Sequence, residues 1–444
     1  MPKGRQAAKR EFAECPNKEM SMNQAKHFAN IKSKIDPILP QHRDLYYDGK
    51  WHKALGGYLD TWNPATGGSL GPCAEANAED VDAAVRAAHR AFREWRRVKP
   101  LERAALMKKV AGVLRANATE LAMLDAANCG NPVKEMSRDA VVAAMQFDFF
   151  AGLVTEIKGE TIPMGEGVVN MSVREPYGVV GRIVAYNHPL MFTAGKSAPP
   201  LAAGNTVVMK PPYQAPLSAY RMMELIEGIL PPGVLNIITG GIECGQALVG
   251  HPDVPRVSLV GSVPTGRSIA KAAAERLKHV TLELGGKNAC IIYPEADLKR
   301  AIAGAIGGMN FTWCGQSCGS TSRLFVHESV HNQVVEGILE GARQHKPGIP
   351  TEMATTMGAI ISRAQHDKIM GYIELGRKEG ATLACGGKAP DDPLLSGGFF
   401  VEPTVFTGVT QKMRIANEEI FGPVLSVIKW SDEEVMFEQV NAVD

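Results

Sequence analysis

The chain has 444 residues, 45% of them apolar and 21% charged, the balance of an ordinary folded protein with room for two or three domains. Its 48 Lys and Arg nearly cancel 47 Asp and Glu, so no global field favours nucleic acid or an anionic membrane, and no apolar run reaches membrane-helix length. Eight scattered cysteines without a secretory signal argue against a disulfide framework, and no second Cys or His pair completes a zinc spacing. No metal, nucleic-acid or membrane partner is expected, and the expected compartment is cytoplasmic.

Residues 1–43 hold nine Lys or Arg against four Asp or Glu and no sustained amphipathic period. They are expected to form a disordered basic arm without an assigned role. The folded pattern starts at Leu45, with a short strand and turn at Tyr46-Tyr47-Asp48-Gly49-Lys50-Trp51 and a turn cluster at Asn63–Gly68. Val81, Ala84, Val85, Ala88, Ala91, Phe92 and Trp95 share one helical face, with Arg and Glu opposite. A second helix is predicted over Leu101 to Ala127, stopping at Gly130-Asn131-Pro132, and a third from about Val133 to Leu153. All three read as packing helices. The stretch from Glu160 to Arg174 reads as a β-hairpin turning at Gly165-Glu166-Gly167, an extension suited to a subunit contact.

From Gly178 short apolar strands alternate with helices. Strands are predicted at Gly181–Tyr186, Thr206–Lys210, Val234–Thr239, Val257–Val260 and Val280–Leu284, with helices near Phe192–Ala203, Leu217–Ile229, Gly245–Gly250 and Thr265–Leu277. That alternation marks an open parallel sheet, which binds ligands outside the carboxyl ends of its strands. Those ends carry Asn187, Lys210, Gly240-Gly241, Gly261-Ser262 and Glu283. No Gly-x-Gly-x-x-Gly is present. Val260-Gly261-Ser262-Val263-Pro264-Thr265-Gly266 instead runs from a strand through a Gly-Ser turn into a helix, whose free N–H groups suit a phosphate; plain capping explains the same residues.

Beyond Gly286 the alternation continues through Ile291–Tyr293, a helix from Leu298 to Met309, a strand at Leu324–Val326 and helices near Val330–Arg343 and Arg363–Glu379. The window from Gly308 to Arg323 places Cys314 and Cys318 among glycines and small hydroxyl residues. Such a loop lets a reactant approach the backbone, and a cysteine there acts as a nucleophile once something favours its thiolate. Two ordinary buried cysteines are the competing reading. Asn417-Glu418-Glu419-Ile420-Phe421-Gly422-Pro423-Val424 combines carboxylates, an aromatic and a Gly-Pro turn, either a loop shaped around a ligand or a solvated acidic turn.

Six segments resemble the NAD(P)-dependent aldehyde dehydrogenase superfamily, in family order: Tyr186-Asn187-His188-Pro189, Gly204–Pro211, Leu259–Ser262, Val280–Asn288, Gly315-Gln316-Ser317-Cys318 and Glu418–Val424. The resemblance runs from about Leu45 to the last residue. It implies an α/β architecture: an open, mostly parallel Rossmann-like cofactor domain (residues 44–156 and 177–285), a β-hairpin oligomerisation extension (157–176), and an α/β catalytic domain (286–444). Family members usually continue several dozen residues further, so the last domain is expected to be incomplete at its C-terminus.

The resemblance also implies roles. Cys318 is the nucleophile whose thiolate attacks the aldehyde, Asn187 holds the resulting oxyanion together with the Cys318 backbone N–H, and Glu283 activates the water that hydrolyses the thioester left after hydride transfer. Lys210 sits at the adenosine ribose, Gly261 and Ser262 at the pyrophosphate, Glu419 and Phe421 at the nicotinamide ribose, and Lys196 in support near the active-site loop. The implied cofactor is NAD, with NADP open because Tyr213 replaces the acidic residue often found three positions after Lys210. No extra Arg or Lys stands nearby, which favours NAD. His188 stands where the family commonly has Phe, either shaping the substrate site or handling a proton, or as a packing substitution. The implied partners are a small aldehyde and a second copy of the chain, as dimer or tetramer. Two competing readings are a catalytically silent NAD-binding or assembly protein and an acylating aldehyde dehydrogenase; Glu283 argues for hydrolysis over acyl transfer.

Overall fold

A computed structural model describes residues 22–443. Helix α1 (Met22–Ile35) buries Ile31 and Ile35 against Ala65, Ala127, Leu395 and Phe400, and Gln24 donates to Ser396 Oγ at 3.0 Å. A disordered arm through residue 43 is therefore incorrect for its second half. Its apolar residues are too few to announce an amphipathic helix, but the partners that cover them come from distant parts of the chain. Residues 1–21 lie outside the described residues.

Strands β1 (Leu45–Tyr47) and β2 (Lys50–His52) form a hairpin. Its turn residues Asp48 and Gly49 both take positive φ (55° and 71°), the conformation that a two-residue hairpin loop requires and that Asp-Gly supplies. A second hairpin, β3 (Tyr58–Trp62) and β4 (Ser69–Ala74), is built around the Asn63–Gly68 turn cluster, whose flanking strands the sequence pattern does not announce. Helix α2 (Ala78–Trp95) begins with a capping box between Asn77 and Asp80. The helix predicted over Leu101 to Ala127 is two helices, α3 (Pro100–Ala116) and α4 (Ala118–Cys129). Asn117 breaks it: its side chain donates to the Val113 carbonyl at 2.8 Å, competing with the backbone ladder. Helix α5 (Val133–Gly152) packs against both. Strands β5 (Thr161–Pro163) and β6 (Val169–Met171) form the expected hairpin.

The alternating region then runs β7 (Val179–Ile183), α6 (Pro189–Gly195), α7 (Ala198–Ala202), β8 (Thr206–Lys210), α8 (Leu217–Ile226), β9 (Leu235–Ile237), α9 (Ile242–Gly250), β10 (Arg256–Gly261), α10 (Val263–Ala274) and β11 (His279–Leu284). These strands join β1 and β2 in a seven-stranded sheet of order β11-β10-β7-β8-β9-β1-β2, parallel from β11 to β9. Two large apolar clusters contain residues of this sheet, one with Met107, Phe147 and Leu201, the other with Val81, Val85 and Leu248. β7 stops three residues short of its predicted end, which frees Val184–Asn187 to turn across the carboxyl edge.

The second half comprises β12 (Ala289–Ile292), α11 (Leu298–Gly308), β13 (Arg323–His327), α12 (His331–Arg343), α13 (Arg363–Lys378), β14 (Thr382–Cys385), β15 (Thr404–Thr407), α14 (Arg414–Asn417), β16 (Val424–Trp430) and α15 (Glu433–Asn441). Its five-stranded sheet has the order β12-β13-β16-β15-β14, parallel except for β14. The fold is thus α/β with two mostly parallel sheets. No helix among the described residues is long and apolar enough to cross a membrane.

Candidate active site

The carboxyl ends of β7, β10 and β11 face the loops before β13 and β16 across a cavity of about 240 Å³. Asn187, Lys196, Gly261, Ser262, Glu283, Cys318, Glu419 and Phe421 all line it. Lys210, the ninth residue named from sequence, does not. It ends β8 as a buried side chain with its ammonium 6.0 Å from the Tyr213 ring centroid, and burial lowers its pKa. Among the described residues no cluster of His, Cys, Asp and Glu is arranged to hold a metal.

The two cysteines of the glycine-rich loop have opposite fates. Cys318 is exposed, while Cys314 is buried beside Phe325 and Ile360 and donates weakly to the Ala359 carbonyl at 3.7 Å. Burial pushes the Cys314 thiol up to about 12. The loop between them is tightly turned. Cys314 and Gly315 both have positive φ (55° and 64°), and a Cβ on Gly315 would sit 2.1 Å from the Gly422 carbonyl oxygen. Only glycine allows that approach of the two loops. Asn288, directly before β12, donates to the Cys318 carbonyl at 2.8 Å and to that of Ser320 at 3.3 Å, fixing the loop from the strand that pairs with β13.

Asn187 is positioned by helices distant in sequence. Its carbonyl accepts from Asn131 Nδ2 at 2.8 Å, His188 Nδ1 lies 2.6 Å from Asp139 Oδ2, and the Leu190 N–H donates to Asp125 Oδ2 at 3.0 Å. Burial drives the Asp125 carboxyl up to about 7, with Asp139 adding repulsion. Three side chains from α4, α5 and their connection therefore hold four consecutive residues at the cavity wall.

Across the cavity, Ser262 caps α10, its hydroxyl 2.9 Å from Thr265 Oγ1. The Glu419 carboxylate folds over Gly285, occupying space that any side chain there would need. Burial raises its pKa, opposed by the Lys368 ammonium. Phe421, at φ 55°, stands edge-on to Tyr186 with ring centroids 5.9 Å apart. Gln365 Nε2 donates to the carbonyls of Ile420 and Phe421 at 3.0 and 2.9 Å. Lys287 lies behind this loop, its ammonium without a hydrogen-bond partner among the described residues, and burial with Arg323 pushes it down to about 7.

The family model for the aldehyde dehydrogenase family matches residues 51–444. This chain belongs to that family. The enzyme is an aldehyde dehydrogenase, an oxidoreductase acting on aldehydes. It is 49% identical over 418 residues to aldehyde dehydrogenase tropH of Talaromyces stipitatus, spanning 92% of this chain and 81% of the relative. Against betaine aldehyde dehydrogenase of Mesorhizobium japonicum the identity is 42% over 399 residues, covering 89% and 82%. Among solved structures, the NAD+ complex of an aldehyde dehydrogenase from Bacillus cereus superposes with a TM-score of 0.88 at 40% identity, covering 92% of this chain and 84% of that one.

In this aldehyde dehydrogenase several residues at or behind the cavity have no sequence signal of their own. Gln365 and Lys368 occupy the first two turns of α13 and read from sequence as ordinary polar positions of an amphipathic helix. Asn131 reads as part of a helix stop, and Asp125 and Asp139 as polar positions of packing helices. Only the fold brings them to residues 187–190.

Proposed function

We propose that this enzyme oxidises an aldehyde to the carboxylic acid through a covalent adduct on Cys318, with NAD as cofactor. The observation that carries the reading is the gathering of an exposed thiol, the Asn187 amide and the Glu283 carboxylate in one cavity whose far wall is formed by Ser262, Glu419 and Phe421. The Cys318 thiolate adds to the aldehyde carbon, converting the carbonyl to a tetrahedral oxyanion. The Asn187 side-chain amide donates to that oxygen, an interaction typically worth about 3 kcal/mol in such transition states. Its backbone anchors, Asn131 and Asp125, hold the donor in place before substrate arrives. Loss of hydride from the adduct, to the acceptor that NAD would supply, leaves a thioester; Glu283 takes a proton from the water that cleaves it, releasing the acid and the Cys318 thiolate. A base at this position favours hydrolysis over transfer to phosphate or a thiol acceptor.

NAD, when bound, supplies the hydride acceptor. The residues present fit it. The N–H groups at the start of the 12-residue α10 and the Ser262 hydroxyl suit a diphosphate, and the Glu419 carboxylate on the cavity wall is an acceptor for ribose hydroxyls. Tyr213 leaves neither a carboxylate to repel a 2′-phosphate nor a cation to attract one, and the Bacillus cereus relative is an NAD+ complex; NADP is the comparison arm of the assay.

Subunit association is part of the same proposal. Val169, Met171 and Val173 on the β5–β6 extension are 79%, 66% and 71% exposed, and Met145 and Phe149 share an exposed face of α5. These apolar surfaces suit a second copy of the chain.

The test is aldehyde-dependent formation of NADH by the purified chain. Cys318→Ala abolishes it while nucleotide still binds; unaltered turnover removes Cys318 from the mechanism. Glu283→Gln retains a first-turnover burst and slows the steady state. Absence of any aldehyde-dependent reduction in the unmodified protein would favour the silent reading.

A further inference from the structure

We propose that His188 and Asp139 form a polar recognition dyad that selects aromatic aldehydes bearing a hydroxyl group, an inference that rests on the dehydrogenase reading above and names its substrate class. His188 follows Asn187 directly, so its ring lies one residue from a cavity-lining amide. It packs edge-on against Phe192, which itself lines the cavity, with ring centroids 5.2 Å apart, and 5.6 Å from Trp313, five residues before Cys318. The rings meet at 65° and 43°, an angled aromatic corner that Phe192 joins to the cavity and against whose faces and edges an aromatic ring can pack.

The polar end of that wall is oriented. Asp139 Oδ2 lies 2.6 Å from His188 Nδ1, both side chains are largely buried, and a carboxylate there holds the ring proton on Nδ1. In the neutral ring Nε2 then keeps its lone pair, and the hydrogen bond to Asp139 is made by the other ring nitrogen. An Nε2 lone pair accepts from a hydroxyl and has nothing to offer a methoxy oxygen. One further group makes this wall polar. The indole N–H of Trp313 is buried without a partner among the described residues. An apolar wall built only for packing has no use for a carboxylate-backed imidazole beside an unsatisfied indole donor.

A site built around a hydrogen bond to a hydroxyl discriminates strongly against analogues that lack it. The experiment compares kcat/KM for hydroxybenzaldehydes, the matching methoxybenzaldehydes and benzaldehyde in the unmodified enzyme, His188→Phe and Asp139→Asn. The expected preference for hydroxyl over methoxy is about tenfold or more, carried mainly in KM. It collapses towards unity in His188→Phe and falls to an intermediate value in Asp139→Asn, where the tautomer is no longer fixed by charge. A hydroxyl-to-methoxy ratio that His188→Phe leaves unchanged overturns the proposal. The same comparison is made by tryptophan-quenching titration of the aldehydes into Cys318→Ala, with and without His188→Phe. The binding preference expected there tests the dyad without turnover, whereas oxidation of benzaldehyde by the unmodified enzyme tests the dehydrogenase reading alone.

Discussion

Replacing Asp125 by Asn isolates the electrostatic cost of holding α6 at the cavity. Asp125 is fully buried, and its carboxyl is pushed up to about 7, chiefly by burial, with Asp139 adding repulsion and the Leu190 N–H opposing. In the unfolded chain the same group ionises near 4. Below that value both states hold the proton and Asp125 imposes no penalty. As pH rises from about 4 to about 7 the unfolded chain releases its proton while the folded one retains it, so stability falls through that window and levels off above it. A shift of about three units corresponds to about 4 kcal/mol at pH 8. Asn keeps an oxygen for the Leu190 N–H and carries no titrating proton. Urea unfolding of both proteins at several pH values from about 4 to about 8 reads the difference. The stability of Asp125→Asn relative to the parent should rise across this range by up to about 4 kcal/mol. Two curves separated by a constant offset would show that Asp125 ionises as an exposed carboxylate does, and that the burial argument is wrong.

Gly315→Ala forces a Cβ to within 2.1 Å of the Gly422 carbonyl oxygen at a left-handed position; dehydrogenase activity should fall by about 100-fold or more, because a shift of about 1 Å at the nucleophile is enough. Asn131→Ala removes the donor to the Asn187 carbonyl, costing about 1–3 kcal/mol of stability, and should lower kcat more than it raises KM; equal effects on both would argue against Asn187 acting on the oxyanion. Brief iodoacetamide treatment of the native protein, followed by peptide mapping, should label Cys318 well before the buried Cys314. Val169→Lys together with Val173→Lys should reduce the assembly mass measured by light scattering; an unchanged mass would remove the hairpin from the subunit contact.

How much of the molecule is legible in its sequence depends on the range of the determining interactions. β8 and its successor loop follow from apolar runs and turn residues a few positions apart, and Thr206–Lys210 is observed with the predicted bounds. Residues 187, 283, 318 and 419 stand out as members of short motifs. The supports behind them do not, because Asn131, Asp125 and Asp139 act across 56, 65 and 49 positions. Helix α1 is hidden for the same reason: its two buried isoleucines gain meaning only from Phe400 and Ala127. β16 is masked by its own entry, since Gly422-Pro423 reads as the end of a loop and is instead the step into the central strand of the second sheet.

Backbone strain links these observations to the chemistry. Five non-glycine residues among those described take positive φ, and three of them, Asn310, Cys314 and Phe421, lie in the two loops that carry Cys318 and Glu419. Each such residue costs on the order of 1–3 kcal/mol and persists only where its surroundings over-determine it. The surroundings do so here. The Gly315 N–H donates to the Asn310 carbonyl at 2.9 Å and the Cys314 N–H to the Phe311 carbonyl at 2.8 Å, while Gln365 clamps the carbonyls of Ile420 and Phe421. Gly315 lies against Gly422, so neither loop can relax without moving the other. A thiol and a carboxylate on separate loops are thereby held as one rigid unit, which explains why the same short loop can bury Cys314 in the core and leave Cys318 facing the cavity.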